Sequence, residues 1–412
     1  MGDKVSETVR IGIVGAGNRG QNHAARYEKI PGADIVAVAD VDVPKARALA
    51  EVEGAESYAD HRSMLDEADL DAVNLCVHAS LHESIAVDAL EAGTDVFCEK
   101  PMADGYAAAR GMYEAAERTG NRLAVQNQLL YTKETRAAKA LVEAGELGDI
   151  YHGVAARSRG WAFGDDPEEI ALGARQRGTP YVDGYGTPAF VREESAGGGA
   201  VYDLGSYTVG QLLYLLGSPT VERVRGATFD TTGDRYRPGD PAGEEYRRRV
   251  EESGFDVEDV GVGFVTFEDG TVLSVRASWS RYLDEEGSAL VGTRGGVRLD
   301  PFEFFTTIAD VEMRASPDLE EYLFRRQYLD GERGEAAYEA GITADPLYHW
   351  VEELLGRAEP TPTAELALEA MAVADGIALS SELGREVTRD EVVESDEFEA
   401  EEAVDSAAEQ SE

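Results

Sequence analysis

A Gly-rich turn between an apolar strand and a helix heads a run in which short apolar strands alternate with helical stretches. That pattern leaves few architectures open. Val9-Arg10-Ile11-Gly12-Ile13-Val14 reads as a buried strand, Gly15-Ala16-Gly17-Asn18-Arg19-Gly20 as the turn, and Gln21 to Lys29 as a helix. Ala33 to Ala39 is the next strand and Pro44 to Val52 the next helix. The alternation continues through the strand Ala72 to Val77, the helix Ser84 to Ala92, the strand Asp95 to Cys98, the helix Tyr106 to Thr119 and the strand Arg122 to Val125. Strands this short, joined by helical crossovers, pack as a doubly wound parallel sheet, so an α/β domain is expected over residues 8–127.

Past residue 128 the punctuation changes. A helix over Glu134 to Ala144 leads to a Gly-, Pro- and aromatic-rich stretch from Gly160 to Gly199 and a helical segment from Val201 to Leu216. Val260 to Phe267 and Thr271 to Trp279, joined by Glu268-Asp269-Gly270, form the clearest hairpin, and Leu290 to Gly292 with Gly296 to Leu299 a further pair. Pro346 to Leu355 and Ala364 to Leu383 read as closing helices. The expectation is a second, α+β domain over 128–390 with an open, largely antiparallel sheet. Residues 391–412 carry ten acidic residues and no basic one, the composition of a disordered tail.

Composition agrees with two domains, since 412 residues exceed what a single hydrophobic core usually holds. Against 38 Lys and Arg stand 81 Asp and Glu, a formal charge of −43. Such a polyanion repels phosphate backbones, and no basic run exceeds Arg247-Arg248-Arg249, so neither nucleic acid nor an anionic membrane is expected as partner. Cys76 and Cys98 match no metal spacing and no disulfide framework, and no metal site is expected. Met1 to Thr8 is polar and no run of 18 apolar residues occurs, so a soluble, cytoplasmic, unexported protein is the expectation.

The first strand, turn and helix set G-x-G-x-x-G where a dinucleotide needs it. Gly15 permits the tight turn, Gly17 lets main-chain amides reach a pyrophosphate, Gly20 permits close helix packing, and Ala16, Asn18 and Arg19 complete the cradle. Asp40, at the end of the second strand, can bond the adenosine ribose hydroxyls and repel a 2'-phosphate, which favours NAD. Asp42 can serve equally, and Arg19, Lys45 or Arg47 could neutralise a phosphate, which leaves NADP open. Glu99-Lys100-Pro101 directly follows a strand, and Lys100 is one of only six lysines in a chain that otherwise chose Arg. An amine at the carboxyl end of such a strand lies where open α/β sheets bind ligands. After Gly197-Gly198-Gly199, a helical stretch puts Asp203 and Tyr207 four residues apart on one face. A phenol near an ammonium ionises more readily, which makes a Tyr-Lys pair a proton relay for alcohol and carbonyl interconversion.

Together these segments resemble the glucose-fructose oxidoreductase and inositol dehydrogenase family (Gfo/Idh/MocA) over most of residues 9–390. The resemblance rests on the fingerprint at 15–20, Glu99-Lys100-Pro101, the Gly197-to-Tyr207 segment, His82 before its helix, and the closing Ala374-to-Ser380 segment. It implies a Rossmann domain binding NAD or NADP, a second domain whose sheet supports a homodimer or homotetramer, and a substrate cleft between the two. It further implies that Lys100 anchors the nicotinamide edge and the reacting hydroxyl, Tyr207 is the acid/base, and Asp203 holds the sugar or the lysine. His82, Glu99 and Pro101 fall on its cofactor side. Tyr131, Arg157, Arg159 and Trp161 fall on its substrate side.

The chain also departs from the family pattern. Tyr207 stands where many members carry His, which points toward tyrosine-bearing sugar and dihydrodiol dehydrogenases. His78-Ala79-Ser80 replaces T-P-N, and Gln128 to Tyr131 lacks the usual Arg. Trp161, Phe163, Tyr181, Tyr185 and Phe190 supply faces for sugar rings, and the arginines before them suit a carboxylate or phosphate.

The leading expectation is an NAD(P)-dependent oxidoreductase acting on a sugar, polyol or related hydroxy compound. The alternatives are an NAD-dependent glycosidase with retained cofactor, with which the turn and His23 are compatible, and a non-catalytic nucleotide-binding protein. The charge makes a separate prediction. At molar salt the Debye length falls to about 3 Å, so self-repulsion is screened. Dialysis from molar KCl into dilute buffer is expected to unfold the chain, read by circular dichroism; a salt-independent melting temperature would reject salt adaptation.

Overall fold

The computed structural model describes residues 8–160, 187–232, 241–281, 287–329, 337 and 341–395. Trp161, Phe163, Tyr181, Tyr185 and residues 396–412 lie outside the described residues, whereas 391–395 of the expected disordered tail are helical, with Val392 buried. The chain forms two compact units. Residues up to 102, 109–137 and 318–367 make one, and 103–108, 138–317 and 368 onward make the other.

In the first unit, β1 (Val9–Val14), β2 (Ala33–Ala39), β3 (Glu56–Tyr58), β4 (Ala72–Leu75), β5 (Asp95–Cys98) and β6 (Leu123–Val125) form a parallel sheet. Their order is β3-β2-β1-β4-β5-β6, so the chain reverses its direction of winding between β1 and β4. A doubly wound sheet binds ligands at that switch, beyond the carboxyl ends of the strands. The helices α1 (Asn18–Tyr27), α2 (Val43–Glu53), α3 (His61–Glu67), α4 (His82–Glu91) and α5 (Tyr106–Thr119) follow the first five strands in turn. On α1 the inward residues Gly20, His23, Ala24 and Tyr27 keep the helical spacing. Asp60 caps α3 by accepting the Ser63 N–H at 2.8 Å.

The division differs from the border expected at 127/128. Residues 128–137 and 318–367 belong with the parallel sheet. The helix Pro346–Leu354 is the reason, since Leu347, Trp350 and Val351, with Leu355 just beyond it, are buried in the cluster that contains Ile11, Ile13 and Phe97. The Trp350 ring packs on Phe97 at 5.9 Å between centroids. Asp345 caps that helix through the Leu347 N–H at 2.9 Å and also takes the Arg26 Nε–H of α1 at 2.9 Å. The spacing of apolar residues predicts this helix but cannot say which sheet it covers.

The second unit holds a nine-stranded sheet. Its strands are β7 (Ile150–Gly160), β8 (Val221–Phe229), β9 (Val260–Phe267), β10 (Val272–Arg281), β11 (Ala289–Gly292), β12 (Gly295–Leu299), β13 (Phe302–Ile308), β14 (Val311–Ala315) and β15 (Val387–Thr388). The order is β14-β13-β12-β11-β7-β10-β9-β8-β15, antiparallel throughout except for the parallel pair β7 and β10. The expected hairpin is β9 with β10, and the expected further pair is β11 with β12. Alternate residues Leu273, Val275, Ala277 and Trp279 of β10 are buried, as one covered face requires. The helix Ser206–Leu216 lies on that face, with Leu212 reaching the backbone at Gly153. Phe229, Val262 and Phe264 are exposed. Among the described residues no helix is long and apolar enough to cross a membrane.

Burying a tryptophan of this kind is typically worth about 3–5 kcal/mol. Trp350→Ala is therefore expected to lower the urea midpoint measured in molar KCl and to weaken NADH binding with it. An unchanged midpoint would show that the Pro346–Leu354 helix is not integral to the first unit.

Candidate active site

The fingerprint is shaped by two close approaches. Gly15 has φ +98°, and a Cβ there would lie 2.4 Å from the Cys76 carbonyl oxygen. At Gly20 a Cβ would lie 1.9 Å from the Gly15 carbonyl oxygen, so no other residue lets α1 start this near the end of β1. Gly17 is different: nothing lies within 4 Å of a Cβ built on it. It occupies the N-cap position of α1 and makes no side-chain cap bond, and Asn18 and Arg19 after it are exposed. The first amides of α1 thus face open space with the positive end of the helix dipole, an arrangement that fits the pyrophosphate of a dinucleotide.

Asp40 is stitched into this turn. Its Oδ2 accepts the Ala16 N–H at 2.7 Å and its Oδ1 the Asp42 N–H at 2.8 Å. An ionised carboxylate is an acceptor only, so further lone pairs suit ribose hydroxyls and disfavour a 2'-phosphate. Lys45, the candidate for neutralising such a phosphate, is paired with Asp42 at 3.0 Å, and that pairing holds the Asp42 carboxyl below its ordinary range.

At the end of β5, Glu99 is buried and Lys100 partly buried. The Glu99 Oε2 accepts the Lys100 N–H at 3.1 Å, and its Oε1 lies 2.8 Å from Nε2 of His23. Burial pushes this carboxyl up, but the His23 hydrogen bond and the positive charges of His23, Arg19 and Lys100 bring it to about 2. His82 does not take the direct cofactor contact expected of it. It is buried, with Nδ1 3.1 Å from the Pro101 carbonyl and 3.2 Å from that of Met102, and Nε2 3.2 Å from that of Val77. Burial lowers its pKa, and the ring sits among carbonyls of the backbone that follows Lys100. Tyr131, expected on the substrate side, is buried and stacked on His349 with centroids 4.4 Å apart.

In the second unit, Asp203 lies in a π-helical turn, Val201–Gly205, that runs into the helix Ser206–Leu216 bearing Tyr207. Such turns recur at functional sites. Both side chains are largely buried. Asp203 Oδ2 accepts the indole N–H of Trp279 at 2.9 Å, and that indole stacks on Phe190 with centroids 5.7 Å apart. The Arg157 guanidinium lies 4.6 Å from the Tyr207 ring centroid, whereas Arg159 is exposed.

Two residues that sequence reasoning passed over, Glu258 and Trp279, hold this turn together with Asp375 of the closing segment. Glu258 accepts the Gly199 N–H at 2.7 Å and the Val201 N–H at 2.9 Å. Burial pushes its carboxyl up to about 7 against the pull of those amides. Asp375, in the closing segment, accepts the Tyr202 hydroxyl and the Tyr106 N–H, each at 2.6 Å. Trp279 is the third, and a buried indole's need for an acceptor was its only signal in the sequence. Among the described residues no cluster of His, Cys, Asp and Glu could hold a metal.

A helix N-terminus left open at the switch point, with an acceptor-only carboxylate beside it, defines a dinucleotide-binding protein. Residues 9–127 match the NAD-binding Rossmann-fold model of the Gfo/Idh/MocA oxidoreductase family, and residues 135–298 match the model of that family's C-terminal domain. The chain belongs to this family, as an NAD-binding oxidoreductase. It is 30% identical over 311 residues to D-glucoside 3-dehydrogenase of Escherichia coli K12, covering 73% of this chain and 80% of that protein. It is also 30% identical over 285 residues to a putative UDP-kanosamine synthase oxidoreductase subunit of Amycolatopsis mediterranei, covering 69% of this chain and 72% of that one. The solved structure of levoglucosan dehydrogenase, in complex with NADH and levoglucosan, shares the fold with a TM-score of 0.70 at 20% identity, covering 92% of this chain and 99% of that one.

Losing one charge-assisted hydrogen bond costs roughly 1.5–3 kcal/mol. Asp40→Ser is therefore expected to weaken NADH binding by about 10- to 100-fold, measured by fluorescence titration, with NADPH affected less. Equal losses for both coenzymes would mean that Asp40 only shapes the turn.

Proposed function

We propose that the chain catalyses reversible hydride transfer between NAD and a CH–OH carbon of a sugar, polyol or related hydroxy compound, with Lys100, Tyr207 and Asp203 as catalytic residues. The observation that carries this reading is the carboxyl edge of the parallel sheet, where an uncapped helix N-terminus and Lys100, two residues past β5, stand at the ligand-binding end. The sugar-directed names of the two relatives support the substrate class.

NAD, when bound, would supply the hydride acceptor for oxidation and the hydride donor for reduction. In oxidation Tyr207, as the acid/base, takes the hydroxyl proton as the C–H bond yields its electron pair as hydride and the carbonyl forms. Lys100 donates a hydrogen bond to the oxygen that gathers negative charge, and Tyr207 returns the proton in the reverse direction. Asp203, oriented by the Trp279 N–H at 2.9 Å, accepts a neighbouring substrate hydroxyl and fixes which carbon reacts. Arg157, against the face of Tyr207, sets the plane of the phenol and brings a positive charge that suits an anionic substituent. The exposed Phe229, Val262 and Phe264 make the outer face of the nine-stranded sheet the surface for self-association.

Lys100→Met and Tyr207→Phe are each expected to lower kcat by about 10²- to 10⁴-fold, the usual contribution of a positioned acid or base. NADH binding should stay near wild type in both. Absorbance of reduced nicotinamide across a panel of sugars and polyols in molar KCl provides the assay, and unaltered turnover in both variants would remove the mechanism.

A further inference from the structure

The turn that carries Asp203 is closed into a ring of hydrogen bonds by Glu258-Asp259, the two residues that lead into β9. Three successive amides at the start of the turn donate to Glu258: Gly199 to Oε2 at 2.7 Å, Ala200 to the main-chain carbonyl at 3.1 Å, and Val201 to Oε1 at 2.9 Å. Gly199 passes the hold on, since its own carbonyl accepts the Asp203 N–H at 2.9 Å. The Asp203 carboxylate takes the Trp279 indole N–H at 2.9 Å, and the Trp279 main-chain N–H returns to the Asp259 carbonyl at 2.9 Å. A Cβ on Gly199 would lie 1.8 Å from the Glu258 carbonyl oxygen, so the two segments meet with no room for a side chain. Hydride transfer makes no use of the Glu258 carboxyl.

The donors around Glu258 fix its state in this geometry. A main-chain N–H can only donate, and here one donates to each carboxyl oxygen. An ionised carboxylate accepts at both oxygens, whereas a proton makes one of them an O–H aimed where an amide already donates. These amides open a helical stretch and lack intrahelical partners, and the positive end of the helix dipole favours an anion beside them. Desolvation works the other way. Glu258 is partly buried, which pushes its carboxyl up to about 7 while leaving it open to proton exchange.

The neighbouring charged and titratable groups have partners of their own. Asp259 faces Glu258 with like charge, its carboxylate taken up by the Thr231 N–H and the Thr231 and Thr232 hydroxyls. On the turn, Asp203 is bonded to Trp279, and the Tyr202 hydroxyl donates to Asp375. On the flanking segments, Asp256 accepts the Glu193 N–H, and Arg192 donates to the Ser253 carbonyl. Arg157 of β7 lies against the Tyr207 ring. Among the described residues no Lys, Arg or His is paired with Glu258, so the amides answer its charge.

We propose that Glu258 is a positioning residue for the substrate: its carboxylate grips the first amides of the π-helical turn and so aims Asp203, and a proton on it releases one of those amides, which makes affinity for the sugar or polyol fall as pH falls. The proposal rests on the role given to Asp203. Glu258 acts through the turn and not on the reacting atoms, so its protonation changes KM more than kcat.

The turn can be read without substrate. In proton–nitrogen NMR of the full chain in molar KCl, the Trp279 indole resonance, assigned through Trp279→Phe, reports the bond to Asp203. In the wild type it is expected to move as pH falls from about 8 to about 6, spanning the titration of a carboxyl raised by desolvation. In Glu258→Gln, which is uncharged at every pH, it should keep the low-pH position throughout. Turnover of whichever sugar or polyol of the panel reacts fastest gives a second reading. Wild-type KM should rise about three- to tenfold over the same interval, the size of one hydrogen bond, with kcat changed by less than about twofold. Glu258→Gln should show the raised KM with a flat profile, and NADH binding should be the same in both. If Glu258→Gln does not fold, Glu258→Asp, an ionisable acid one methylene shorter, should show both pH dependences with a displaced midpoint. An indole resonance that stays still in the wild type, the same titration in wild type and Glu258→Gln, or a fall in kcat at unchanged KM would each overturn the proposal. A wild-type KM in Asp203→Asn, beside the expected indole titration in the wild type, would instead overturn the role given to Asp203 and leave the Glu258 grip standing.

Discussion

The contact between α1 and the end of β1 governs the first unit. Gly20 lies so close to the Gly15 carbonyl oxygen that a methyl group would overlap it at 1.9 Å. This proximity has two consequences. The helix begins within reach of the β1–β4 switch point, so its unsatisfied amides become a binding surface instead of a solvated end. Its inward face is also pressed against β4 and β5, which brings His23 within bonding distance of Asn74 and Glu99. One close approach thus sets both the open helix start and the His23 contacts beneath it.

A different constraint acts in the second unit. A π-helical turn leaves main-chain amides poorly placed for regular helical bonding, so its start needs an outside acceptor. Glu258 supplies it at Gly199 and Val201, while Asp375 fixes the adjacent Tyr202 hydroxyl. With the backbone held at both points, the indole N–H of Trp279 helps to orient Asp203. Glycines at 197 and 199 allow these contacts, since a Cβ at either would fall within 2 Å of a carbonyl oxygen of Asp104 or Glu258.

Most of the parallel sheet was legible from the sequence, because strands such as Ile11-Gly12-Ile13-Val14 are continuous apolar runs bounded by helix signals. The fingerprint was legible for the same reason, since a glycine requirement is local. Strands β7, β8 and β13 were not: they are half-exposed, rich in Arg, Thr and Phe, and paired only through partners distant in sequence. The allegiance of the Pro346–Leu354 helix was hidden likewise, because periodicity marks an apolar face without naming what covers it. Lys100, Asp203 and Tyr207, the residues proposed as catalytic, could be named by motif and family resemblance, whereas the Glu258 and Trp279 contacts and the His23–Asn74 contact depend on long-range approach. His82 shows the converse error, a residue correctly singled out whose ring is spent on backbone carbonyls.

The distribution of charge ties these sites to the solvent. Exposed pairs such as Arg247 with Glu251 and Arg248 with Glu252 are one helical turn apart, and pairs of that kind add only about 0.3–0.5 kcal/mol before screening. In concentrated salt they contribute still less, and so does the mutual repulsion of the acidic surface. What persists is shielded from ions: the apolar cluster around Phe97 and Trp350, and the buried acids Glu99, Asp203 and Asp375 with their own donors. The residues assigned to chemistry hang from that second group. The surface can therefore carry a charge of −43 without passing its repulsion to the site, because the carboxylates that position Lys100 and orient the π-helical turn are each satisfied inside the protein.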